Sequence, residues 1–88
     1  MNIKFSELIN QVKNCYGCYF KNGNTELELK YFIIINNDDY AIFKKSDNNF
    51  IVSHLNSFDI EKFTVTWCYG HYDFTSFKEA KNWIEKRS

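Results

Sequence analysis

The chain has 88 residues, with eleven Lys and Arg against eleven Asp and Glu, and 44% of its side chains are hydrophobic, nine Phe, six Tyr and two Trp among them. That length holds one compact domain, residues 1–88, without a second core, and so many rings exclude a disordered chain. Zero net charge excludes both a polycation that coats nucleic acid and a polyanion that imitates it, because each needs a field of one sign.

Phe5, Leu8, Ile9 and Val12 fall at i, i+3, i+4 and i+7, so the spacing predicts an amphipathic helix from Ile3 to Asn14, stopped near Gly17. The pattern then turns to rings and β-branched residues. Tyr16 to Lys21 and Thr25 to Ile35 read as two strands joined by the hairpin signal Asn22-Gly23-Asn24. Alternation puts Leu27, Leu29, Tyr31, Ile33 and Ile35 on one face of the second strand, and Phe32 and Ile34 make its far end apolar on both sides. Polar turns at Asn36 to Asp39 and Ser46 to Asn49 bracket a third strand, Tyr40 to Lys45, and a fourth, Phe50 to His54, follows. Leu55 to Lys62 reads as a connection containing a helical turn, and Phe63, Val65, Trp67 and Tyr69 as the apolar face of a fifth strand. Ser76 with Glu79 is a capping box, and Phe77, Ala80, Trp83 and Ile84 stripe a closing helix that ends near Arg87. The expected fold is α+β: an antiparallel sheet of four to five meandering strands, flanked by an N-terminal and a C-terminal amphipathic helix on one face.

Phe32 to Ile35 is the longest apolar run, too short to cross a bilayer, and Met1-Asn2-Ile3-Lys4 leads into no secretory segment. Three cysteines, an odd number, suit a reducing compartment. The expected location is therefore the cytoplasm, with no membrane partner.

Cys15-Tyr16-Gly17-Cys18 and Cys68-Tyr69-Gly70-His71 repeat the pattern Cys-Tyr-Gly-ligand and use every cysteine. Four such ligands suit one structural zinc, because two residues between ligands let a tight turn aim both at one ion. The site requires the chain to turn at Gly70, since an extended strand sends residues three apart to opposite faces. The competing reading makes Cys15 the buried end of the helix, Cys18 and Cys68 small core residues, and His71 a surface residue.

No base is oriented toward a thiol, no glycine-rich phosphate loop exists, and Asp38 and Asp39 sit in a turn, so neither an enzyme nor a small-molecule substrate is expected. Two binding chemistries remain. Exposed rings, with Tyr40, Tyr69 and Tyr72 as candidates, would centre a protein interface, and an edge strand would extend a partner's sheet. Tyr16, Tyr31, Tyr40 or Tyr72, with Lys44, Lys45 and the basic end of the last helix, would stack and neutralise a nucleic acid, giving a zinc-supported nucleic-acid module as the alternative.

Asn, Lys, Ile, Phe and Tyr are abundant, Pro is absent and Arg87 is the sole arginine, the residue usage of AT-rich codons. In size and composition the chain resembles the short single-domain proteins with which phages and mobile elements inhibit host or defence nucleases, anti-CRISPR proteins included. That resemblance implies a non-enzymatic inhibitor acting on a protein partner.

Overall fold

The computed structural model describes the backbone of residues 5–87 and the side chains of residues 7–67 and 71–87. Helix α1 (Phe5–Asn14) leads into five strands, β1 (Tyr19–Asn22), β2 (Thr25–Ile35), β3 (Asp38–Ser46), β4 (Asn49–Asp59) and β5 (Thr64–Phe74), and helix α2 (Phe77–Glu85) ends the fold. Each strand pairs antiparallel with the next, and β1 meets β5 in parallel, so the sheet closes into a barrel. This corrects the expected open sheet with two helices on one face. The sheet is closed, and its helices serve opposite faces.

Bulges explain the difference. The register passes from Leu29 opposite Phe43 to Tyr31 opposite Ile42, which leaves Lys30 as an extra residue on β2. One extra residue exchanges the faces of a strand and bends it. Leu27 and Leu29 are therefore continued inside the barrel by Phe32 and Ile34, while Tyr31, Ile33 and Ile35 turn outward, contrary to the single face that strict alternation suggests. Further register shifts fall between Lys44 and Ser46 on β3 and at two points of the β4–β5 ladder. β4 also runs on through Asp59, where a connection was expected, so the strands are long enough to curl round to closure.

Two cores result. Inside the barrel, Phe20, Leu27, Leu29, Phe43 and Val65 are sealed at one end by Leu8, Val12 and Cys15 of α1 and the turn after it. Outside, Ile42, Phe50 and Val52 pack against Ala80 and Ile84 of α2, which lies across β3, β4 and β5. The capping box forms as the sequence suggests. The Glu79 amide donates to the Ser76 hydroxyl at 3.2 Å, and the Glu79 carboxylate accepts from Thr75 and Ser76.

The β2–β3 turn is Asn36-Asn37, both at positive φ (52° and 68°), the geometry that matches the twist of a two-residue hairpin. Gly23 (φ 62°) turns β1 into β2 just after the barrel closes. At that seam the Lys21 amide donates to the Phe63 carbonyl (2.7 Å) and the Asn22 side-chain amide donates to the Val65 carbonyl (2.9 Å). No helix among the described residues is long and apolar enough to cross a membrane.

Candidate interaction surface

Because β1 turns away at Gly23, its recorded pairing with β5 is one position, Lys21 opposite Thr64. The Asn22 side chain takes the Val65 carbonyl that a longer β1 would have reached. Past that point, among the described residues, β5 has a strand partner only in β4.

Backbone groups along a strand point alternately to its two sides. The two-residue turn makes Ile35 and Asp38 a hydrogen-bonded pair, so Asp38, Tyr40 and Ile42 turn their backbone groups toward β2, while Ala41 and Phe43 turn theirs toward β4. The alternation continues without a shift through Ala41 opposite Ser53, Ile42 opposite Val52 and Val52 opposite Tyr72. Tyr72 therefore bonds toward β4, and the amides and carbonyls of His71 and Asp73 face the open side. β5 also lacks Lys, Arg and Pro, the residues that ordinarily discourage pairing at an edge.

The opposite edge is treated differently. The Tyr16 hydroxyl accepts from the Phe32 amide (3.1 Å) and donates to the Phe32 carbonyl (3.3 Å), standing in for a neighbouring strand on β2.

Side chains complete the β5 surface. Tyr72 is 58% exposed and lies 4.8 Å from Trp83 of α2, whose ring also meets Phe74 at 6.2 Å and carries the Arg87 guanidinium 3.8 Å from its centroid. A tyrosine braced by an indole that is itself covered by a guanidinium presents a flat contact with little side-chain entropy left to lose. On the other face, His71 Nε2 lies 3.6 Å from Asp73 Oδ1.

The remaining sequence candidates are dispersed. Tyr40 is half-buried and stacked on His54 at 4.8 Å, and His54 pairs with Asp38 at 3.5 Å. Lys44 pairs with Asp47 (3.3 Å) and Lys45 is exposed at the β3 bulge. The side chains of Cys68 and Tyr69 lie outside the described residues. Cys15 is buried and Cys18 half-buried, and both thiols are free. Burial pushes the Cys15 thiol up, and the adjacent Cys18 thiol adds to the shift. The His71 ring sits beside Trp67 at 5.7 Å, and β5 continues through Gly70 with two extra residues opposite β4 between Trp67 and His71. Among the described residues no three His, Cys, Asp or Glu converge on one point.

Sequence reasoning missed His71 and Asp73 as backbone contacts. The absence of Lys, Arg and Pro from the fifth strand was the signal available.

Among the described residues, Asp39 is a carboxylate whose charge the fold disfavours. Burial pushes its carboxyl above the usual range, Asp38 adds to this, and His54 opposes it, while one carboxyl oxygen is buried without a hydrogen-bond partner. A pKa raised by folding means stability is complete below the unfolded-state value and is lost as pH rises through the folded one. Asp39→Asn should therefore raise the urea midpoint at neutral pH, with the gain disappearing below the carboxylate range. Equal midpoints at neutral pH would refute this.

No protein-family model, curated protein or solved structure matches the chain.

Proposed function

We propose that this chain is a non-enzymatic, cytoplasmic protein-binding domain that acts by occupying a partner's surface. The open β5 edge carries the reading: the backbone groups of His71 and Asp73 are set to accept an added strand, and the exposed Tyr72 lies between them. Size and composition favour a host or defence nuclease as the class of target, with the chain as its inhibitor.

Immobilised wild-type chain should retain its partner from lysate of the native host in stoichiometric amount. Tyr72→Glu should abolish retention by charging the central ring. Asp73→Pro should do the same by removing an edge donor without touching the β4 ladder, whereas Lys45→Glu should keep it. Equal retention by all four chains, or none by the wild type, would overturn the proposal.

The contact of the Cys15 and Cys18 thiols favours a second reading, a structural zinc completed by Cys68 and His71 in a module that binds nucleic acid. One zinc per native chain, lost on denaturation in native mass spectrometry, would support its metal half, and a metal-free native mass from zinc-replete preparation would remove it. The two readings differ in what they ask of the His71 side chain, ligand in one and edge residue in the other.

A further inference from the structure

We infer that the strand which pairs with the β5 edge in the isolated protein is β5 of a second copy, giving a two-fold dimer centred on Tyr72. The inference deepens the proposed function and rests on the same open edge.

The argument is one of register. In an antiparallel pair of identical strands related by a two-fold axis at Tyr72, His71 lies opposite Asp73 of the other copy, and Asp73 opposite the other copy's His71. Both residues turn their backbone groups to the open side, so these become the hydrogen-bonded pairs and Tyr72 the non-hydrogen-bonded pair, where side chains come closest. The imidazole and the carboxylate of this stretch are thus complementary to themselves: each imidazole meets a carboxylate across the interface, on the face where His71 and Asp73 already lie 3.6 Å apart within one chain.

On the other face the two Tyr72 rings meet side by side, each backed by its own Trp83 and Arg87. A shift of register by two residues, the smallest that keeps outward backbone groups opposed, would set His71 opposite His71 or Asp73 opposite Asp73 and lose the match. The self-complementary order His-Tyr-Asp therefore selects the register and the partner at once. On the β2 edge the Tyr16 hydroxyl occupies both backbone groups of Phe32, so a strand added there would have to displace it.

Sedimentation of the full chain from micromolar to millimolar concentration tests this. The wild type should pass reversibly from monomer to dimer. His71→Glu sets Glu opposite Asp73 and should weaken the dimer by roughly tenfold or more, because like charges directly opposed repel. Adding Asp73→Lys to His71→Glu sets Glu opposite Lys and should restore it. Circular dichroism of each variant separates loss of the dimer from loss of the fold.

A wild type that stays monomeric throughout, or a dimer indifferent to His71→Glu, would overturn the inference. Hydrogen exchange on a monomeric wild type then tells which claim failed. Fast exchange at His71 and Asp73 beside protected Tyr72 and Phe74 leaves the edge open and removes only self-pairing. Protection at all four shows the edge is covered within the chain, and the binding reading falls with the dimer.

Discussion

Phe20→Ala should destabilise the fold by roughly 3–5 kcal/mol, the usual cost of removing a buried aromatic ring from a core that cannot collapse around the space. Phe20 is fully buried on β1 and is ringed by Phe58 at 4.5 Å, Phe63 at 5.2 Å and Phe43 at 6.3 Å. Those rings come from three other parts of the chain: β4, the turn before β5, and β3. Phe43 and Phe58 cannot move inward without drawing their strands from the ladder. Domains are stable by only about 0.05–0.15 kcal/mol per residue, so a loss of this size approaches the whole stability of so short a chain. The expected result is a largely unfolded protein with little near-ultraviolet dichroism. A cooperative urea transition with a midpoint close to wild type would show that the barrel interior is not the dominant core.

Ile84→Ala tests the second core. Ile84 is fully buried between α2 and the outer face of the sheet, and its truncation should cost about 2–5 kcal/mol. The expected character differs from that of Phe20→Ala. The outer core is assembled from α2 and a sheet already closed round its own interior, so α2 should loosen while the barrel remains. Amides of Phe77–Glu85 would then lose exchange protection before those of β2 and β3. Simultaneous loss of protection throughout would mean the two cores are one cooperative unit.

Local features were readable in the sequence because local chemistry decides them. Ser76 and Glu79 cap α2 through bonds three residues apart, and the asparagines at 36 and 37 take the positive φ their turn requires. The barrel was not readable in the same way. Lys30 offers nothing in its side chain to mark it as the extra residue of a bulge, yet its insertion decides which face Tyr31, Ile33 and Ile35 serve. One warning was present: the apolar run Phe32 to Ile35, with the Tyr31 ring before it, needs cover on both faces, and a single layer of helices supplies only one. The candidate surface divides similarly. A tyrosine at 72 could be nominated from its strand, but its exposure follows from where β1 turns at Gly23, and the outward backbone of His71 and Asp73 follows from register counted across three ladders.

The seam between β1 and β5 also bears on how the molecule assembles. Every other strand contact joins neighbours in sequence, so β2, β3, β4 and β5 can zip hairpin by hairpin with short loops to close. The seam joins groups 43 positions apart, such as Asn22 and Val65, and carries the largest loop entropy of any strand pairing in the fold. Before the seam forms, the strands make an unsealed meander. In it the edge of β5 is bare along its whole length, so the moment of greatest exposure to a wrong neighbour falls just before folding is complete.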